Sequence, residues 1–167
     1  DVSIQRSMLQ EEIAYAEIHM KTIEREMKEL IAADSNICRN YKLLTSIKGV
    51  GPITAIVMLC STLNFTKITD HRKFACYCGL APFEHSSGTS VRGGCHTSSM
   101  ANRDIKVQLN RSALIAIRCD PQLKAYYERK VAEGKHKFSV LNAVRAKIAA
   151  RCFAVVRRGT PYVALQI

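Results

Sequence analysis

LLTSIKGVGPITAIVMLCSTL, residues 43–63, is the stretch whose reading decides the fold. Leu43, Leu44 and Ile47 close one apolar helical face, Gly49-Val50-Gly51 follows, and Pro52 opens a second apolar run. Two glycines let a backbone turn tightly between helices. Proline costs nothing in a first helical turn, where the N–H has no partner in any case. The spacing therefore predicts a helix-hairpin-helix near residues 43–60. The free amides at the start of its second helix can hold a phosphate, and Lys48 beside them adds charge without reading sequence. The same hairpin also serves as a plain connection between helices, so the pattern alone leaves both uses open.

Upstream, Val2, Arg6, Leu9, Ile13, Ala16, Met20, Ile23, Met27 and Leu30 follow alternating steps of four and three, a heptad seam with one polar break at Arg6. Glu17 to Lys21 and Glu24 to Lys28 are i,i+4 pairs in the favourable order. The pattern predicts a coiled-coil helix over 1–34, too long to bury its seam on a small domain, and hence a homo-oligomer or pairing with another helix. Asp1 is not a natural start, so the chain is expected to be part of a longer protein. A helical domain over 35–167 follows, its first helix capped from Ala33-Asp34-Ser35 and carrying Ile37, Tyr41, Leu44 and Ile47 on one face.

Downstream, Thr69 or Asp70 caps a short helix through Phe74 and Cys78, ended by Gly79. The stretch from Gly79 to Lys106, GLAPFEHSSGTSVRGGCHTSSMANRDIK, is poor in apolar residues and rich in serine, threonine and glycine, with Arg92 and Arg103 supplying charge. It reads as a loop or small hairpin, between Phe83 and Cys95, that either decorates the surface or presents hydroxyls and arginines to a phosphate-bearing ligand. From Asn102 to Arg118 the residues Ile105, Leu109, Ser112, Ala113, Ala116 and Ile117 recur at helical spacing. Asp120-Pro121 starts another helix with Leu123, Tyr126, Tyr127 and Val131 inward, closed by Gly134. Ser139 is expected to cap a last one, Val140 to Arg158, ended by Gly159. Its Val140, Val144, Ile148 and Phe153 are expected in the core, and its Arg145, Lys147, Arg151, Arg157 and Arg158 as a positive face. The fold class is mainly α.

Twenty-five Lys and Arg against fourteen Asp and Glu leave +11, which calls for a polyanionic partner, nucleic acid first. A spanning role in a membrane is excluded by the lack of a sufficiently long apolar run. The seven cysteines are odd in number, scattered and mostly within apolar stretches, which fits a reducing cytoplasm. Cys76, Cys78, His85, Cys95 and His96 lie close in sequence but form no C-x-x-C pair, and no metal is assigned to them.

Taken in order, IKGVGPITA, Phe74 leading into YCGLAP, Ser87-Gly88, Arg92-Gly93, Ser98 to Lys106, and the long helices ending near Arg158-Gly159-Thr160-Pro161-Tyr162 resemble the C-terminal half of the IS-110 family of bacterial insertion-sequence transposases. That group also includes the IS-116 and IS-902 elements and a site-specific DNA invertase. The resemblance runs from Leu43 to Tyr162. It implies a DNA recombinase with a RuvC-like nuclease half that holds Mg2+ on four acidic ligands, and a second half bearing a serine that attacks DNA and stays attached. Here that serine falls on Ser87, with Ser86 and the more distant Ser90 as the alternatives. A structured guide RNA is implied as a partner beside DNA.

A serine hydroxyl is a poor nucleophile at neutral pH until its proton is removed, and the transition state needs cations about its oxygens. Arg92 and Arg103 are the nearest candidates for the cations, and His85 or His96 for a base, although the resemblance assigns activation to metal ions of the nuclease half. The DNA-contacting set is Lys48, Gly49, Gly51, Arg92, Asn102, Arg103 and Lys106. Cys95, Ala101 and Lys106 depart from the family's usual residues, which weakens individual phosphate contacts but leaves Ser87 untouched. The carboxylates of this chain sit on helix surfaces or caps and form no two-metal constellation, so alone it is expected to bind nucleic acid and do little chemistry. Two other classes compete: a non-enzymatic helix-hairpin-helix DNA-binding module, and an oligomerisation scaffold built on the coiled coil, which predicts no salt-dependent DNA affinity.

Overall fold

The structure, a computed structural model, describes residues 2–87 and 91–164, with backbone only for 83–87 and 91–96. It is mainly α-helical and divides into two compact units, Asp1–Cys38 and Arg39–Ile167.

The first unit is built on one helix, α1 (Val2–Ala33), none of whose residues is buried. At 1.5 Å per residue its 32 residues reach about 48 Å. The seam stands in solvent: Ile13 is 60% exposed and Leu30 72%. Of its charged pairs, Arg25–Glu29 closes, at 3.8 Å. Among the described residues no ion pair joins Glu17 to Lys21 or Glu24 to Lys28. Asp34 accepts from the amides of Asn36 and Ile37 at 2.8 and 3.0 Å, and so is the residue of the expected trio that starts α2 (Ser35–Thr45).

In the second unit α2 gives way at Ser46 to a turn that ends where Pro52 starts α3 (Pro52–Thr62). Asp70, rather than Thr69, caps α4 (His71–Tyr77) by accepting from the Arg72 amide, and Gly79 follows in a left-handed conformation, φ 65°. An antiparallel hairpin of β1 (Phe83–Ser87) and β2 (Val91–His96) comes next. Then α5 (Arg103–Cys119), α6 (Pro121–Ala132) and α7 (Lys137–Arg158) complete the chain. The core lies along α5 and α7: α5 packs on α3, α6 and α7, and α7 also on α4 and α6. Leu109, Ala113, Val144, Ile148 and Cys152 have no measurable exposure there. Each large aliphatic side chain so buried contributes about 1.5–3 kcal/mol.

The expected cap of α7 is corrected. Ser139 is exposed within the helix, which begins at Lys137 after an N-cap residue, His136, whose side chain makes no cap bond. The His136 carbonyl accepts from both the Ser139 and the Val140 amides, at 2.9 and 3.1 Å, so an amide that a capping hydroxyl would take is already paired. A second departure has no glycine to announce it. Leu63, Asn64 and Phe65 all have positive φ, 49°, 53° and 62°, at a cost of roughly 1–2 kcal/mol each. The Asn40 amide holds Asn64 Oδ1 at 2.7 Å, Thr62 Oγ1 accepts from the Phe65 amide at 2.9 Å, and the Phe65 ring meets Phe153 edge-on at 4.9 Å.

Candidate nucleic-acid interface

The turn from Ser46 to Pro52 is seated in α5 by one residue. Gly49 has φ 93°, and a Cβ there would stand 2.6 Å from the Ser112 carbonyl oxygen and 2.8 Å from Ala116 Cβ. No side chain fits, so the glycine is required by packing as well as by the turn. Two residues on, Gly51 is exposed, has φ −86°, and meets nothing within 4 Å of where a Cβ would lie. It is the N-cap residue of α3 and offers no side-chain cap, so the first turn of that helix presents backbone amides unblocked by its own cap. Lys48 is exposed and Val50 buried. Thr54, one turn into α3, is pinned by a buried hydroxyl pair with Ser112 at 2.9 Å.

The C-terminal segment reaches this turn. Tyr162 donates its amide to Ser46 Oγ at 2.8 Å and its hydroxyl to Asp120 Oδ2 at 2.9 Å. Asp120, 1% exposed, also accepts from the Leu123 amide as the cap of α6 and from Arg151 at 2.9 Å, and the Arg151 guanidinium lies 4.7 Å from the centre of the Tyr162 ring. Burial alone would raise the Asp120 carboxyl, but the Leu123 amide, the Tyr162 hydroxyl and the Arg151 charge outweigh it and hold it below the usual carboxylate range. Burial and the hydrogen bond to Asp120 push Tyr162 up. Ser46 and Tyr162 are 116 positions apart, so no local pattern announces their contact.

The second cluster is the first turn of α5. Asn102 is its N-cap: Oδ1 accepts from the Asp104 and Ile105 amides, and its own amide donates to the Tyr77 carbonyl. Its side-chain oxygen is thus used by the helix. Arg103 is exposed, and Lys106 half-exposed beside the hairpin exit, where a Cβ on Gly79 would lie 3.9 Å from both Lys106 Nζ and Thr97 Cβ. Lys106 draws the neighbouring Cys78 thiol down, but burial dominates and pushes it up to about 11. Cys152, wholly inside, is pushed up to about 12, so both thiols stay protonated and unreactive near neutral pH.

Candidate contacts therefore fall at two places along α5. Lys48, Gly49 and Gly51 sit at its Ser112–Ala116 turn, and Asn102, Arg103 and Lys106 at its start, about 15 Å away along the axis. Ser87 and Arg92 lie in the hairpin, whose register sets Ser87 opposite Val91 and Ser86 opposite Arg92. Glu84 pairs with Cys95, so His85 alone faces both Gly93 and Gly94, a bulge that two glycines accommodate readily. The side chains of Ser87, Ser86, Arg92, His85, Cys95 and His96, and all of Gly88 and Ser90, lie outside the described residues.

The expected positive face of α7 is partly corrected. Arg145 donates to Asn110 and Asn142, and Arg151 to Asp120 and Gln122, so these two tie α7 to its neighbours, whereas Arg158 is exposed and bonds locally to Thr160 and the Pro161 carbonyl. Lys147 and Arg157 remain exposed. Among the described residues no group of three His, Cys, Asp or Glu gathers to hold a metal, and no helix is long and apolar enough to cross a membrane.

The sequence profile described as Transposase IS116/IS110/IS902 family matches residues 41–128. The chain belongs to that family. Its matched span holds the glycine turn, the hairpin and the start of α5, and so every residue proposed for the interface. Among similar proteins, the 43.6 kDa protein of insertion element IS110 from Streptomyces coelicolor is 39% identical over 121 residues, 72% of this chain and 29% of its own. The pilin gene-inverting protein of Moraxella bovis is 23% identical over 84% of this chain and 44% of its own. A probable family 20 transposase of Pseudomonas aeruginosa is 28% identical over 66% of this chain and 31% of its own. This family chain thus spans less than half the length of each of these curated relatives.

Proposed function

We propose that this chain is the serine-bearing, DNA-handling part of a bacterial transposase or site-specific recombinase. The observation that supports this most is the mounting of the family-matched elements on one helix: α5 carries the glycine turn at its middle, and at its start the arginine and lysine that follow the serine hairpin. Lys48 and the amides after Gly51 grip one stretch of DNA backbone, and Arg103 and Lys106 another. Asn102 acts by setting the first turn of α5. Gly49 acts by seating the turn.

In the proposed chemistry Ser87 Oγ forms a bond to a DNA phosphorus while one DNA oxygen leaves as a hydroxyl. Attack by a hydroxyl of a second strand then reverses the step and frees the serine. Arg92 and Arg103 offset the charge on the phosphoryl oxygens. Family resemblance implies Mg2+ on acidic ligands, and the described carboxylates here do not fit such a site. The ion is assigned to the part of the family protein that this chain does not cover. A structured guide RNA, self-association through the α1 seam and a place on the bacterial nucleoid in the cytoplasm complete the proposal.

The test is a covalent DNA adduct that survives denaturation, sought in the complete family protein with its nucleic acids and magnesium. Ser87→Ala is expected to abolish the adduct and Ser86→Ala to retain it. An adduct that persists in both would make the serine hairpin a contact surface and place the nucleophile elsewhere.

A further inference from the structure

The cleft between α6 and α7 is a second basic surface, lined by no residue of the glycine turn or the hairpin. It has a volume of about 570 Å3, in the range of clefts that take small-molecule-sized groups, and Tyr126, Arg129 and Lys147 line it. Both cations lie on the tyrosine ring, Lys147 Nζ 4.5 Å and the Arg129 guanidinium 6.0 Å from its centre. At Gln122 the cleft meets a second one, about 550 Å3, lined by Arg158, Pro161 and Tyr162. The result is a tyrosine ring with two cations against it, then a further guanidinium at the far end.

The acidic groups nearby do not cancel this charge. Asp120 is buried and used by Arg151 and Tyr162. Glu133 takes Arg129 at 3.9 Å but is bonded mainly to Lys130, and Glu128 pairs with Lys124. Lys147 has no ion pair among the described residues. Tyr126 lies inside the span matched to the family, and Arg129, Lys147, Arg151 and Arg158 lie beyond it.

We infer that this cleft binds single-stranded nucleic acid. Planar bases stack on tyrosine and on guanidinium faces whatever their identity, and flanking cations follow the backbone. A concave surface that gathers a tyrosine ring, guanidinium planes and a lysine suits an unpaired base, which can take the place of a cation on the ring, whereas the bases of a duplex are stacked on one another and unavailable. The inference rests on the reading of the chain as a nucleic-acid-binding protein but uses none of the residues assigned to duplex contact.

The experiment titrates the 167-residue chain with fluorescent dT20 and U20 strands and with a duplex of equal length, at several salt concentrations. The variants are Tyr126→Leu, which keeps the packing, and the doubly substituted R129Q/K147Q. Tyr126→Leu is expected to weaken single-strand binding about 5- to 160-fold, the range for loss of one stacked base. R129Q/K147Q should lower the logarithmic salt slope by about 1.4, at about 0.7 for each phosphate contact. Duplex affinity should stay as in the native chain. Preference for U20 over dT20 would identify RNA as the strand held, and the reverse DNA. Unchanged single-strand affinity and slope in both variants, with circular dichroism showing them folded, would overturn the inference. If duplex binding is absent while single-strand binding is lost as expected, the glycine-turn reading fails and this one stands.

Discussion

The two edges of the Ser46–Pro52 turn carry the same residue type for opposite reasons. On the inner edge Gly49 abuts α5 with no space for a methyl group, in a conformation that side chains resist. On the outer edge Gly51 has ordinary dihedral angles and empty space around it. A motif of two glycines thus combines a packing requirement with a surface left clear for approach, and only the neighbour across the turn tells them apart. The start of α5 repeats the division: Asn102 Oδ1 is spent on the helix, whereas Arg103 is exposed.

Breaking the inner edge should have the largest effect. Gly49→Ala meets a backbone oxygen and a positive φ together, so thermal unfolding is expected to show a loss of roughly 3 kcal/mol or more. Normal stability in that variant would mean that α5 can retreat from the turn. Next comes the tether behind it. Asp120→Ala removes a buried carboxylate that holds Arg151, Tyr162 and the α6 cap, and should cost about 3 kcal/mol. Because the Asp120 carboxyl lies below its unfolded value of about 3.9, its contribution is present above that pH and is lost as pH falls through the folded value. Acid titration of stability should therefore steepen below about pH 4 in the native chain and flatten there in Asp120→Asn. The outer edge gives the smallest change in stability: Gly51→Ala should shift unfolding by about 0.5 kcal/mol or less while weakening duplex binding, because a methyl group now stands where a phosphate would approach.

Much of the fold was legible for local reasons. Proline at the first turn of α3 and α6, aspartates before α2, α4 and α6, and left-handed glycines at 79, 134 and 159 mark ends that depend on a few adjacent residues. The core positions of α5 and α7 follow from helical spacing. What was illegible depends on distant partners. No local signal distinguishes Arg151, folded against Asp120, from Arg157 in solvent. Nor does one announce the left-handed run at Leu63–Phe65, which is held by Asn40 and Phe153. At the interface the sequence could nominate Lys48, Gly49, Gly51, Asn102, Arg103 and Lys106 as a set. It could not say that two of them serve α5 first.

The central claim is that the outward residues of that set grip DNA backbone. The direct measurement is duplex affinity against salt for the native chain and for Lys48→Ala/Arg103→Ala, both checked for native unfolding temperature. Loss of two phosphate contacts predicts a slope shallower by about 1.8, at about 0.9 per contact, with stability unchanged. An unchanged slope in a folded double variant would contradict the account and reduce the glycine turn to a connection between helices.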